Sequence, residues 1–71
     1  MTFDELPEML RVEEAAGFLR ISRTRAYDEV AIYRRRHGER GLPSIAIGRC
    51  LRIPKKALAQ WIDDQLGSDA A

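Results

Sequence analysis

The apolar residues near the start of the chain predict two short helices joined by a tight turn. The first helix is indicated by the i, i+3, i+4, i+7 spacing of Val12, Ala15, Ala16 and Leu19. Ser22 is a favourable N-cap for a second helix, which we expect to run to about Arg36. His37 would then lie in its last turn and Gly38 at the C′ position.

The turn between these helices consists of Arg20 and Ile21. A left-handed residue is natural at the end of the first helix, where glycine is the usual choice. Arg20 in that conformation would cost roughly 1 kcal/mol. Ile21 would fill the angle between the two helices.

Alternating apolar residues later in the chain predict a β-hairpin. A two-residue turn of Gly48 and Arg49 would place the isoleucines of its first strand on the same face as Cys50 and Arg52. A three-residue loop, residues 48–50, instead gathers one apolar face of Ile45, Ile47, Leu51 and Ile53. Burial favours the three-residue loop, with Arg49 at the tip and Arg52 pointing away from the core. Because two strands alone are marginal in water, the hairpin must lie against the helices.

A last helix is expected to begin at Pro54, since proline is tolerated at the first helical position. Trp61 would be the largest single contributor to the core. Gly67 is expected to end the helix. The apolar face of this helix comprises Ala57, Leu58, Trp61, Ile62 and Leu66.

These elements predict one small α+β domain that is mainly helical. Its order is helix, turn, helix, two-stranded antiparallel hairpin and C-terminal helix, which is the order of a winged helix-turn-helix. The domain would span residues 12–66, followed by a disordered tail at residues 67–71. Residues 1–11 would form an N-terminal segment that packs through Leu6, Met9 and Leu10.

Charge is distributed unevenly along the chain, although the net charge is only +1. Residues 1–19 carry a net charge of −4 and residues 57–71 a net charge of −3. Residues 20–56 carry eleven Arg or Lys against three Asp or Glu, a net of +8. A basic block of this kind is typical of a protein that binds a polyanion. A solvated charged face is the alternative interpretation.

The order of the elements indicates how DNA would be contacted. In a helix-turn-helix, the second helix presents its N-terminal side chains to base edges in the major groove. Arg23, Thr24 and Arg25 are the candidates for reading bases, and Ser22 with the helix amides is a candidate for phosphate binding. The hairpin would act as a wing that reaches the adjacent minor groove or its phosphates. The further cationic candidates for contact with the grooves or phosphates are Arg34, Arg49, Arg52 and Lys55.

The residues needed for catalysis or metal binding are scarce. His37 and Cys50 are each the single residue of their type, so a zinc site would need carboxylates. The sequence contains no P-loop or dinucleotide glycine pattern, no signal peptide, and no apolar run near the ~20 residues of a membrane span. We therefore expect no enzymatic activity, cofactor, metal or membrane. One cysteine suits a reducing cytoplasm, where the nucleoid would be the site of action.

Two segments, MLRVEEAAGFLRISRTRAY and LPSIAIGRCLRIPKKALAQWI, resemble the excisionase-type winged helix-turn-helix family, related to the MerR regulators. The resemblance covers residues 9–62. It implies DNA contacts by residues 22–25, Asp28, Arg49 and Arg52. Two features depart from the family. Arg20 stands where glycine is usual, which alters the turn or adds a phosphate contact, and the stretch YRRRHGERG is several residues longer than usual.

The resemblance implies double-stranded DNA as the partner and two roles. An excisionase is an architectural protein that directs an integrase towards excision of a mobile element, with self-association on DNA as a further expectation. A small transcriptional regulator is the alternative within the same class. From another class, the domain would be a protein-interaction module that docks on an integrase.

Overall fold

A computed structural model describes residues 2–70, which contain three α-helices and a small antiparallel sheet. A short 3₁₀ helix precedes β1, α1, α2, β2, β3 and α3, and the bounds in that order are Phe3–Glu5, Met9–Leu10, Val12–Leu19, Arg23–Arg35, Ile45–Ile47, Cys50–Pro54 and Lys55–Ala70. The fold is the predicted winged helix-turn-helix, mainly helical. Within residues 2–70, none of the helices combines the length and the apolar character needed to cross a bilayer.

The turn between α1 and α2 has the left-handed residue that the sequence predicted. α1 ends in a Schellman motif, in which the Ile21 N–H donates to the Ala16 carbonyl at 3.1 Å and the Arg20 N–H to the Gly17 carbonyl at 3.3 Å. Arg20 occupies the left-handed position, with φ 60° and ψ 41°. The apolar face of α1 is buried as predicted, above all at Val12, Ala15 and Ala16.

Replacing Arg20 with glycine is expected to stabilise the protein by about 0.5–1 kcal/mol, because glycine is free of the ~1–2 kcal/mol strain of a left-handed L residue. The gain is smaller than the strain because the unfolded chain gains entropy with glycine. Urea unfolding followed by circular dichroism measures the change. Arg34→Gly, at an exposed position of α2, is the control and should cost about 1 kcal/mol. A loss of stability in Arg20→Gly would contradict a strained turn.

The end of α2 differs slightly from the prediction. The helix ends at Arg35 rather than at about Arg36. The first left-handed residue after it is His37, with φ 53°, and not Gly38. Gly38 follows with φ 89°, and its N–H donates to the Tyr33 carbonyl at 3.1 Å. The turn therefore uses two consecutive left-handed residues, and the predicted C′ position was one residue late.

The loop after α2 packs directly on the backbone of that helix. Leu42 is fully buried, and its N–H donates to the Glu29 carbonyl at 3.1 Å. Gly41 has φ 89°, and a Cβ at this position would overlap the backbone of Glu29 and Tyr33. The absence of a side chain at Gly41 is what lets the loop deliver Leu42 to the core.

The predicted three-residue hairpin loop is wrong. The Cα partners of β2 and β3 are Ile45 with Arg52, Ala46 with Leu51 and Ile47 with Cys50. A two-residue turn, residues 48–49, therefore joins the strands. Ile45 and Ile47 share the outer face with Arg52 and are 42% and 57% exposed, whereas Ser44 and Ile53 are buried. Arg52 points away from the core as predicted, but the two isoleucines do so as well.

The backbone of the turn explains this register. Gly48 has φ 62°, and Arg49 is not among the residues with positive φ. This is the pattern of a type II′ turn, which takes glycine at its first central position. The common three-residue loop would require a left-handed residue at its third position, which is Cys50. The position of the glycine therefore outweighs the burial of two isoleucines.

The N-terminal segment is part of the sheet rather than only a packed extension. β1 pairs antiparallel with β3, with Met9 opposite Pro54 and Leu10 opposite Ile53, and the strand order is β1-β3-β2. Leu10 and Leu6 are buried, but Met9 is 39% exposed. The wing sheet of the described residues thus has three strands, one more than predicted, and β3 is its centre.

The core lies where α1, α2 and α3 meet the inner face of the sheet. Its buried side chains are Leu6, Leu10, Val12, Ala15, Ala16, Ala26, Val30, Leu42, Ile53 and Leu58. Trp61 packs against this core but is only partly buried, and Leu66 is 63% exposed, so both contribute less than predicted. α3 begins at Lys55, after Pro54 in β3, and continues past Gly67 to Ala70. The predicted tail is therefore helical as far as residue 70, and residue 71 lies outside the described residues.

Candidate nucleic-acid interface

The first turn of α2 is an exposed basic surface. The exposed side chains are those of Arg23, Thr24 and Arg25. They lie at the N-terminal end of α2, directly after the turn that joins it to α1. The Ser22 Oγ accepts the Arg25 backbone N–H at 3.0 Å, which confirms the predicted N-cap. The hydroxyl proton of Ser22 remains free to donate to an acceptor such as a phosphate oxygen.

Further along α2, helical spacing places Thr24, Asp28 and Arg35 on one exposed stripe. Arg25 lies beside this stripe, with its guanidinium Nη2 3.4 Å from Oε2 of Glu29. An exposed i, i+4 ion pair stabilises a helix by only about 0.3–0.5 kcal/mol. The pair therefore orients Arg25 in the free protein without preventing it from turning to another anion.

Two more predicted residues border α2 at its ends. Arg20 is exposed in the turn that precedes the helix, and Arg34 is exposed in its last turn. They lie more than two helical turns apart along the axis, so both cannot contact one phosphate. Together they extend the basic surface along the length of the helix.

The wing tip lies beside the N-terminal half of α2. Between them is a depression, here called the wing depression, which is lined by Arg11, Val12, Glu13, Tyr27, Arg49, Cys50, Leu51 and Arg52. Arg49 is exposed at the tip, whereas Arg52 is half-buried and donates from Nη1 to the Leu51 carbonyl at 2.8 Å. The fold thus brings the wing arginines and the second helix of the motif to one surface.

Glu13 places a negative charge at the edge of this surface. The Tyr27 hydroxyl donates to Oε1 of Glu13 at 3.0 Å and so links α1 to α2. The pKa of Glu13 is lowered, first by a hydrogen bond from its own backbone amide, then by the Tyr27 hydroxyl, and also by the charges of Arg23 and Arg11, while desolvation opposes the shift. The carboxylate is therefore ionised at neutral pH and compensates part of the local positive charge.

Tyr27→Phe is expected to raise the pKa of Glu13 towards its ordinary value, because the hydroxyl donor is lost while the backbone donor remains. With its folded pKa below the unfolded one, Glu13 contributes stability above the unfolded pKa, and this is lost as pH falls through the folded pKa. In Tyr27→Phe, the stability lost through Glu13 as the pH falls should therefore be smaller than in the wild type. An NMR pH titration of the Glu13 carboxyl measures the shift. Tyr33→Phe is the control and should leave the Glu13 curve unchanged; coincident Tyr27→Phe and wild-type curves would refute the link.

Lys55 has intramolecular partners in the N-terminal segment. Its Nζ is 3.3 Å from the Leu6 carbonyl oxygen, 3.4 Å from that of Asp4 and 5.0 Å from the centre of the Phe3 ring. Its backbone N–H donates to the Glu8 carbonyl at 2.8 Å. Lys55 therefore ties the N-terminal segment to the start of α3.

Further basic residues border two depressions beside α2, and of these Arg40 was not among the predicted contacts. A depression between α2 and α3 is lined in part by Ile32, Arg35, Arg36, Arg40 and Trp61. Arg35 and Arg40 also border a neighbouring depression together with Arg25 and Asp28. The signal in the sequence was the unusual length of YRRRHGERG, which begins in the last turn of α2 and continues as a loop that returns Arg40 to the side of that helix.

A comparison with protein families decides where this fold belongs. The model of the helix-turn-helix domain family matches residues 9–66, a span that includes α1, α2, the whole sheet and most of α3. The chain belongs to the excisionase-type helix-turn-helix family. The excisionase type is shown by an excisionase from Streptomyces ambofaciens. That relative is 36% identical to this helix-turn-helix protein over 61 residues, which are 86% of this chain and 87% of the relative. No solved structure matches the chain.

The matched span of this helix-turn-helix protein contains all the residues that the sequence predicted to contact DNA. They are Arg20, Ser22, Arg23, Thr24, Arg25, Asp28, Arg34, Arg49, Arg52 and Lys55. Their individual contacts with DNA stay predictions. All of them except Lys55 lie on α2, at its ends or on the wing.

Proposed function

We propose that this protein binds specific sites on double-stranded DNA and directs an integrase towards excision of a mobile element. In this role it is an architectural factor without catalysis of its own, acting on the nucleoid in the cytoplasm. The observation that carries the proposal is the exposed basic first turn of α2 beside the wing tip. The excisionase relative supports the choice of excision among the roles of DNA-binding domains.

In the proposed complex, α2 lies in the major groove, which is about 12 Å wide and admits an α-helix. Arg23 and Arg25 then reach guanine edges, for which the guanidinium fork is suited, and Thr24 contacts a thymine methyl or an acceptor. Asp28, one turn further along, is positioned to accept from a cytosine amino group. Arg49 enters the adjacent minor groove from the wing tip.

The surrounding arginines supply contacts to phosphates. Arg20 lies before α2 and Arg34 and Arg35 at its end, while Arg40 stands on the loop beside it. Such contacts fix the position of the protein on the duplex, whereas base contacts supply the sequence preference. The acidic N-terminal and C-terminal portions, with net charges of −4 and −3, leave the positive charge concentrated in residues 20–56, which contain these arginines.

A direct test is the binding of purified protein to duplexes that tile the attachment region of the element, measured by fluorescence anisotropy at several salt concentrations. We expect one or more sites with clear preference over random DNA. The logarithm of the binding constant should fall with the logarithm of salt concentration, with a slope of roughly −0.9 per phosphate contacted. Equal, weak binding to every duplex would remove the DNA-recognition role.

Excision is tested separately from DNA binding. An excision assay with the integrase, with and without this protein, should show excision only when both are present. Site-specific binding without any effect on excision would favour a small transcriptional regulator. Binding to the integrase with no affinity for DNA would favour the protein-interaction module. Self-association on DNA is measured with the same protein. If copies associate, the protein should bind a duplex with two adjacent sites at a lower concentration than a duplex with one site.

A further inference from the structure

The outer face of the wing carries apolar side chains that the burial pattern alone would place inside. Ile45 and Ile47 are 42% and 57% exposed, while Ser44 beside them is buried. The Ser44 Oγ has no hydrogen-bond partner among the described residues. Shifting this strand by one residue would place Ile45 at the buried position of Ser44 and expose the serine, which burial favours. The observed register therefore gives up core stability and displays isoleucine at the wing.

The two isoleucines differ in their distance from the wing tip. Ile47 is the last residue of β2, pairs with Cys50 and adjoins the two-residue turn. Ile45 lies two residues further back, about 6.6 Å along the strand. The minor groove of B-DNA is about 6 Å wide and 7.5 Å deep, so only the end of a hairpin can enter it. Ile47 is within that reach and Ile45 is not.

The charges around Ile47 favour DNA over an apolar protein surface as its partner. Arg49 follows one residue after the glycine of the turn and is exposed. Arg52 lies on the same outer face as Ile47, opposite Ile45. An apolar protein partner would have to cover at least one of these guanidinium groups, which is costly without a carboxylate partner. A minor groove offers sugars to the isoleucine and phosphates or base edges to the arginines.

We propose that Ile47 is a DNA-contacting residue that packs into the minor groove beside Arg49 and promotes bending of the duplex there. This inference rests on the proposed DNA-binding function. Apolar side chains wedged at base steps in the minor groove unstack them and kink the duplex by roughly 20–90°. Arg49 holds the tip in the groove through charge, and Ile47 supplies the apolar surface that deforms it.

The test compares Ile47→Thr with Ile45→Thr in the full chain. Threonine keeps the β-branch and the strand preference, so both variants should unfold at the wild-type temperature by circular dichroism. Affinity is measured by fluorescence anisotropy on the preferred duplex, and bending by energy transfer between the duplex ends. Ile47→Thr should bind about 3–10-fold more weakly, as expected for the loss of one or two buried methyl-sized groups, and should bend the DNA less. Ile45→Thr should match the wild type within about twofold.

The salt dependence separates the two parts of the contact. Ile47→Thr removes no charge and should keep the wild-type slope, whereas Arg49→Ala should reduce its magnitude by about 0.9 if it meets a phosphate. Unchanged bending and affinity in Ile47→Thr, with tight binding by the wild type, would overturn this inference and leave the proposed function intact. Equal effects of both isoleucine variants on self-association in sedimentation, with normal DNA binding, would show instead that this face joins copies of the protein. Lack of DNA binding by the wild type would overturn the proposed function itself.

Discussion

Gly41→Ala is expected to destabilise the protein by at least about 3 kcal/mol. A Cβ at this position would overlap the Glu29 carbonyl oxygen and would lie 2.5 Å from the Tyr33 backbone nitrogen. Both obstacles are backbone atoms of α2 and cannot move aside as a side chain would. The backbone at Gly41, with φ 89°, is also unfavourable for alanine.

The consequence reaches the core because Gly41 precedes Leu42. If the loop moves away from α2, the hydrogen bond from the Leu42 N–H to the Glu29 carbonyl is lost and the Leu42 side chain withdraws from full burial. A domain of this size has a total stability of only roughly 4–10 kcal/mol. We therefore expect urea unfolding of Gly41→Ala to show a much lower midpoint, or no folded baseline at all.

Two other glycines provide matched controls. Gly48 has a positive φ but open space around the Cβ position, so Gly48→Ala carries the backbone strain alone, about 1–2 kcal/mol. Gly17 lies in α1 with no atom near the Cβ position, so Gly17→Ala should stabilise by about 1 kcal/mol. Equal losses for Gly41→Ala and Gly48→Ala would mean that the close approach to α2 does not matter.

The second large effect concerns DNA. Arg23→Ala and Arg25→Ala should each weaken binding to the preferred duplex by about 1–3 kcal/mol and relax its sequence preference. Both side chains are exposed on the first turn of α2, and neither belongs to the core, so protein stability should change little. Arg25 also loses its pair with Glu29, which is worth only a few tenths of a kcal/mol, about 0.3–0.5.

Lysine substitutions separate charge from base reading. Arg23→Lys and Arg25→Lys keep the positive charge but lose the planar fork that binds guanine bidentately. We expect these variants to retain affinity for random DNA and the wild-type salt slope, while losing most of the preference for the specific site. Anisotropy titrations with specific and random duplexes measure both quantities. Full specificity in the lysine variants would limit these arginines to phosphate contacts and move base reading elsewhere on α2.

Several features of the candidate site could be read from sequence because they depend on near neighbours. The Ser22 cap and the exposed positions of Arg23 and Arg25 follow from hydrogen bonds and spacing within one helical turn. The left-handed Arg20 follows from the ending of α1 just before it. By contrast, the intramolecular partners of Lys55 could not be read from sequence, because Asp4 and Leu6 lie at the far end of the chain.

In the sheet, too, local features could be predicted from the sequence and long-range pairing could not. The sequence indicated two strands and the direction of Arg52, but burial alone selected the wrong loop, since the requirement of a left-handed residue at Gly48 competes with the burial of Ile45 and Ile47. The pairing of β1 with β3 was not predicted either. A two-residue strand has no period of its own, and Met9 and Leu10 become a strand only because Pro54 and Ile53 lie opposite them.

The sequence by itself therefore determined the two-helix motif, its turn and the Ser22 cap, the basic block and the position of the arginines at the start of α2. Periodicity, capping and local charge depend on residues that are close together in the sequence. Only the tertiary structure decided the hairpin register, the third strand, the return of Arg40 to α2 and the close approach of Gly41 to Glu29. These depend on contacts between distant residues, where small differences in turn geometry and burial decide between several arrangements that the local pattern allows.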